Sequence, residues 1–199
     1  MASTVYQRVA SSSASETPGH AHAARSGIWV AIFAITMSFA ALTSSLMVRQ
    51  GSGDWKHIAL PAVIYLNTVA LLLSSLTLEM GRSRADYGSM SRRRDSLLWL
   101  IATLALGMVF VAGQYLVWQR LREQGLYLAT TSNSSFFYVF TAVHVLHVLG
   151  GITALSVLIA GSASRQRVFR RSRFEATAIY WHFMGALWLY LLIVISVRL

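Results

Sequence analysis

Five apolar stretches dominate the chain, near residues 27–48, 58–78, 96–118, 135–160 and 176–197, and none of them contains Asp, Glu, Lys or Arg. Each has the length a helix needs to cross roughly 30 Å of hydrocarbon at about 1.5 Å per residue. Their content of Leu, Ala, Gly and Met, and their continuity, do not fit the alternating half-apolar strands of a membrane barrel. The pattern predicts an all-α, polytopic membrane protein with a bundle of five transmembrane helices. Ahead of the first stretch, Ser11, Ser12, Ser13, Ser15, Pro18, Gly19, His20 and His22 offer too little apolar surface to offset the entropy of ordering. Residues 1–26 are expected to form a mobile tail and residues 27–199 a single transmembrane domain. No small-x-small cleavage site ends the first apolar run, so the first helix is expected to stay in the membrane.

Composition agrees, with 55% hydrophobic and 12% charged residues. Cysteine is absent, which excludes disulfides, thiolate metal sites and cysteine nucleophiles within the chain. The net charge of +10 changes the picture only through its placement. Twelve of the 17 basic residues flank the helices on one side: Arg8 and Arg25, then Arg82, Arg84, Arg92, Arg93 and Arg94, then Arg165, Arg167, Arg170, Arg171 and Arg173. Five lie on the other: Arg49, Lys56, Arg120, Arg122 and Arg198. Cytoplasmic loops retain Lys and Arg, so the N-terminus is expected inside and, after five crossings, the C-terminus outside. Basic loops so placed are a topology signal and a contact for anionic lipid headgroups rather than a nucleic-acid surface.

Polar side chains at membrane depth are costly unless paired, so they are the candidates for function. They are Asn67, Gln114, His144, His147 and His182, beside Ser and Thr that can bond back to their own helix. No acidic residue is among them, which argues against a proton or cation carrier in this chain alone. His144 and His147 are three apart and share one helix face. Imidazole suits Fe, Cu and Zn, yet two ligands one turn apart cannot take opposite faces of one haem, and no carboxylate is at hand to orient the rings. The five residues are therefore expected to act as an interhelical polar network, with no catalytic residue and no metal. Gly150 and Gly151, with Gly107, Gly113 and Gly161, are expected to mark close helix contacts. Trp29, Trp55, Trp99, Trp118, Phe136, Phe137, Tyr138, Tyr180 and Trp181 fit an interfacial aromatic belt.

Two segments carry a resemblance. Phe136-Phe137-Tyr138-Val139-Phe140-Thr141-Ala142-Val143-His144-Val145-Leu146-His147-Val148-Leu149-Gly150-Gly151 and Tyr180-Trp181-His182-Phe183-Met184-Gly185-Ala186-Leu187-Trp188 resemble the corresponding helices of subunit III of haem-copper respiratory oxidases. Leu60-Pro61, Leu66-Asn67-Thr68 and Leu73 to Glu79 look like the same family, as do Gly113-Gln114 with Trp118 and, less closely, Phe39-Ala40-Ala41-Leu42. The resemblance spans residues 27–197 and looks like the five-helix bacterial form. It implies a non-catalytic subunit of a terminal oxidase that reduces dioxygen to water and translocates protons. It places haems and copper in subunits I and II, and implies packing against subunit I, bound phospholipid, support of proton uptake and location in the bacterial inner membrane. The donor, cytochrome c or quinol, would act through other subunits. Many relatives carry a buried Glu near Ile35 and an Asp where this chain has Gly185, so a proton relay through the histidines is in question here.

Three other readings compete: an accessory subunit of a nitric oxide reductase, a self-contained histidine-ligated metalloprotein, and a small transporter. The absence of buried charge and of paired broken helices disfavours the last; Pro61 sits at the start of its helix, where it breaks nothing. The charge asymmetry makes a direct prediction. A reporter active only outside the cytoplasm should work when fused after Leu199 and stay silent when inserted between Arg165 and Arg173; the reverse pattern would reject this orientation.

Overall fold

The structure, a computed structural model, describes residues 18–50, 61–84, 90–128, 132–163 and 171–198. The elements are α1 (Pro18–Gln50), α2 (Val63–Arg84), α3 (Met90–Glu123), α4 (Ser132–Ala163) and α5 (Arg171–Arg198), with no strand among the described residues. Each contains a stretch long and apolar enough to cross a membrane.

The helices outrun the apolar stretches. α1 begins at Pro18, so residues 18–26, expected in a tail, are helical; residues 1–17 lie outside the described residues. Proline suits this first turn, because the N–H it lacks has no helical partner there. α2 continues to Arg84, and α3 and α5 start among arginines at Met90 and Arg171. Backbone hydrogen bonding is indifferent to side-chain polarity, so an apolar run marks the part of a helix that suits lipid, not the helix end. The expected start of the second helix at residue 58 falls outside the described residues. Pro61 and Ala62 precede α2, their carbonyls accepting from the N–H of Ile64 and Tyr65 at 3.1 Å each.

α3 ends in a turn that only glycine suits. Leu126 N–H donates to the Leu121 carbonyl (3.0 Å), Gly125 N–H donates to that of Arg122 (2.9 Å), and Gly125 adopts φ +78°. This is the Schellman closure, with the left-handed residue just past the helix. Tyr138 Oη then donates to the Leu126 carbonyl (2.9 Å), pinning the turn against the start of α4.

By backbone proximity, α2, α3, α4 and α5 form a closed square in that order, α5 returning to α2. α1 lies outside it, against α5 and to a lesser extent α4. α2 and α3 make the most extensive pair. Their ties are Ser96 Oγ to the Gly81 carbonyl (3.0 Å), the Thr77 and Thr103 hydroxyls (2.9 Å) and Asn67 Nδ2 to the Phe110 carbonyl (3.2 Å). The ends of α1 and α5 meet through Gln50 and Arg198.

Polarity is distributed as lipid demands. Trp29, Phe33, Leu66, Leu76, Leu98, Leu146 and Ile193 are exposed, while Asn67, Ser74, Thr103, Gln114, Thr141 and His144 are buried.

The α2–α3 seam is tightest where the Asn67 amide lies on Gly113, since a Cβ added at Gly113 would overlap the amide itself. Gly113→Ala is expected to cost about 1–3 kcal/mol by overpacking. It should lower the midpoint of thermal aggregation in mild detergent, and Asn67→Ala in the same chain should recover part of the loss. An unchanged midpoint for Gly113→Ala would mean that this seam is not close-packed.

Candidate functional site

Two tryptophans of α5, seven residues apart and so about 10 Å along the helix, fill the square at two levels. Trp181 is 2% exposed and Trp188 fully buried. Trp181 Nε1 donates to Ser74 Oγ on α2 (3.0 Å), and its ring lies 2.8 Å from where a Cβ would stand at Gly107 on α3 and 3.2 Å from that point at Gly151 on α4. Trp188 Nε1 donates to Thr68 Oγ1 on α2 (3.0 Å), with ring contacts to Phe110 on α3 (5.0 Å between centroids) and His144 on α4 (5.2 Å). Each indole thus touches the other three helices of the square.

The hydroxyls that accept these indoles are themselves used twice. Ser74 Oγ donates to the Leu71 carbonyl (2.6 Å) and Thr68 Oγ1 to that of Ile64 (2.9 Å), which leaves each oxygen's lone pairs for the incoming N–H. The same arrangement recurs twice. Trp118 Nε1 donates to Thr141 Oγ1 (3.0 Å), which bonds the Phe137 carbonyl, and Tyr190 Oη donates to Thr43 Oγ1 (2.9 Å), which bonds that of Phe39. These ties join α5 to α2, α3 to α4 and α5 to α1.

The polar residues singled out in the sequence have separate fates rather than forming one connected network. Asn67 bonds across to α3, as described. His147 Nδ1 lies 2.7 Å from the carbonyl of Val143 on its own helix, and its backbone carbonyl accepts from Tyr180 Oη (2.9 Å). His144 is fully buried among Phe39, Phe110 and Trp188, and neither ring nitrogen has a hydrogen-bond partner among the described residues. Gln114 is likewise fully buried with both amide atoms unpartnered. His182 lies apart, its side chain 41% exposed and Nε2 3.7 Å from Glu79 Oε2, which also pairs with Arg82 (3.4 Å). The expectation that no carboxylate lies near the histidines is corrected here. Glu79, one residue past the apolar stretch, lies on the continuing α2 helix with its side chain 53% exposed.

The glycine expectations need a similar correction. Gly151, Gly107 and Gly113 sit in close contacts, but Gly150 is exposed, and a Cβ there would meet only Tyr180 Oη at 3.6 Å, an ordinary distance; Gly161 meets nothing. Adjacent residues of one helix point about 100° apart, so one glycine of the pair faces Trp181 and the other looks outward. Nor do the aromatics form a belt alone. Trp29 is exposed, but Phe137, Tyr138 and Trp181 are core, Trp118 and Tyr180 are bonded inside, and Trp55 lies outside the described residues. Thr68, Ser74 and Thr141 escape sequence reasoning because a membrane hydroxyl satisfied by its own helix looks inert until an indole is seen to reach it.

Chemically, this interior holds helices together. Among the described residues no three His, Asp or Glu side chains converge as metal ligands. Ile35 is buried one turn from Phe39, whose ring meets both His144 (6.4 Å) and His147 (6.0 Å).

Comparison with known proteins agrees over the whole membrane part. The sequence profile of the family described as Cytochrome c oxidase subunit III matches residues 24–197. A probable cytochrome c oxidase subunit 3 of Nocardia farcinica is 32% identical over 168 residues, 77% of each chain. Cytochrome c oxidase subunit 3 of Corynebacterium diphtheriae is 31% identical over 150 residues, covering 73% of this chain and 71% of the relative. A probable quinol oxidase subunit 3 of Staphylococcus saprophyticus is 28% identical over 172 residues, 83% of this chain and 84% of its own.

The indole-to-hydroxyl ties can be tested singly. Thr68→Val keeps the shape but leaves the Trp188 N–H buried and unpaired, at a cost of about 1–3 kcal/mol. Thr36→Val, at an exposed hydroxyl bonded only to the Ile32 carbonyl, should cost far less. The readout is the thermal aggregation midpoint in mild detergent, and equal effects would show that the Trp188 bond carries no weight.

Proposed function

The chain belongs to the subunit III family of haem-copper terminal oxidases, and on that premise we propose that it is a non-catalytic, stabilising subunit of an oxidase that reduces dioxygen to water and translocates protons. It packs against subunit I, holds phospholipid at its apolar surface, and supports proton uptake and working lifetime without a redox centre of its own. Haems and copper reside in subunits I and II, which also receive electrons from cytochrome c or quinol. The membrane is the bacterial inner membrane, with the N-terminus cytoplasmic and the C-terminus outside.

What supports this reading is where the interior spends its hydrogen-bonding capacity. Asn67, Thr68, Ser74 and Thr141 all tie one helix to another, and the central side chains Phe39, Phe110, Trp181 and Trp188 close-pack around them. A bundle filled this way offers a partner a rigid, defined surface. Arginines at one end, including Arg82, Arg84 and Arg94, suit anionic headgroups; the Arg84 guanidinium also stacks over Trp99 at 5.0 Å, an arrangement fit for an interface.

The test is purification of the tagged chain in mild detergent. Subunits I and II, with their haems, should accompany it, whereas nitric oxide reductase components in their place would overturn the assignment. In the complex so obtained, replacing His144, His147 and His182 together by Asn or Gln should leave the haem absorption spectrum and the metal content unchanged, and affect mainly subunit retention or durability in turnover. Disappearance of a haem band or a stoichiometric metal with the subunit still bound would instead support a histidine-ligated metalloprotein.

A further inference from the structure

His144 and Gln114 are both fully buried, and none of their four side-chain nitrogen and oxygen atoms has a hydrogen-bond partner among the described residues. Unpaired polar atoms are rare in a core because each costs about 1–3 kcal/mol. Two such side chains in one bundle call for a common explanation.

The register of α3 against α4 brings them to the same level. A Cβ at Gly107 would meet Ile152, and Trp118 is bonded to Thr141. Antiparallel helices in that register set Gln114 opposite Val145, next to His144. Gln114 also lies one turn from Phe110 and one turn from Trp118, which reach His144 and Thr141 respectively, so its side chain leaves α3 on the face turned to α4. His147, on the same helix, shows the alternative that His144 does not take, with its Nδ1 against a carbonyl one turn back.

We propose that Gln114 and His144 form a binding site for water at the centre of the four-helix square, with one molecule bridging the Gln114 amide and an imidazole nitrogen. The two side chains make no direct hydrogen bond with each other. Water brings two donors and two acceptors, can bond both side chains, and keeps capacity for a third partner, matching the roughly three bonds that buried waters make. His144 then ties α4 to α3 through solvent, where Trp118 and Thr141 do so directly one level away.

The experiment is a cryo-electron-microscopy map of the assembled oxidase at a resolution that shows ordered water. The expected result is a discrete peak about 2.7–3.2 Å from both the Gln114 amide and one His144 nitrogen, lost in the complex carrying Gln114→Met while His144 stays in place. A direct bond between the two side chains, no peak between them, or a peak that persists in Gln114→Met would each overturn the proposal. If the variant does not assemble, the map of the unaltered complex decides alone.

Discussion

Every indole N–H buried in this bundle must find an acceptor inside the protein, because lipid offers none. That constraint shapes the arrangement around Trp181 and Trp188, which stand at two levels of the square and bond Ser74 and Thr68 on the facing helix. Helix carbonyls keep a second lone pair, which Asn67, Ser96 and Tyr180 use, but the indoles bond instead to hydroxyls already satisfied as donors by the turn below. Three hydroxyls, of Thr68, Ser74 and Thr141, take an indole in this way, and Thr43 takes the Tyr190 phenol.

Such bonds are individually modest, on the order of 0.6 kcal/mol in membrane proteins where measured. Their effect here is geometric. An indole reaches its hydroxyl only if its ring can cross the square, which needs small residues where the ring passes, and Gly107 and Gly151 provide them beside Trp181. Hydrogen bonding and close packing therefore specify the same helix positions. A change at the glycines displaces the ring that the serine holds, and a change at the serine frees the ring that the glycines accommodate.

The polar interior of this subunit ties helices together, with Asn67, Thr68, Ser74 and Thr141 each bonded across to a neighbouring helix. Glu79 with Arg82, and the half-exposed His182 beside them, gather at one end of the bundle rather than in its centre. His144, enclosed by aromatic rings, and Gln114 are the exceptions that bound water would resolve.

Five membrane helices, their order and the family were legible in the chain, because about 20 consecutive apolar residues have no other stable use and the motifs around His144 and Tyr180 are distinctive. The short list of buried polar residues was legible too, since so few polar side chains interrupt those runs. What only the tertiary structure decided is where each of them points. Gly150 and Gly151 are equivalent in a sequence, yet one turns outward and the other touches Trp181. His144 and His147 share a helix face, yet one bonds its own helix and the other turns into the core. Glu79 lies past an apolar run but meets His182 because its helix does not stop where the run does. Partition into lipid depends on the sum of side chains along a segment, which sequence supplies directly; contact across the bundle depends on helix rotation and register, which are set only when all five surfaces pack at once.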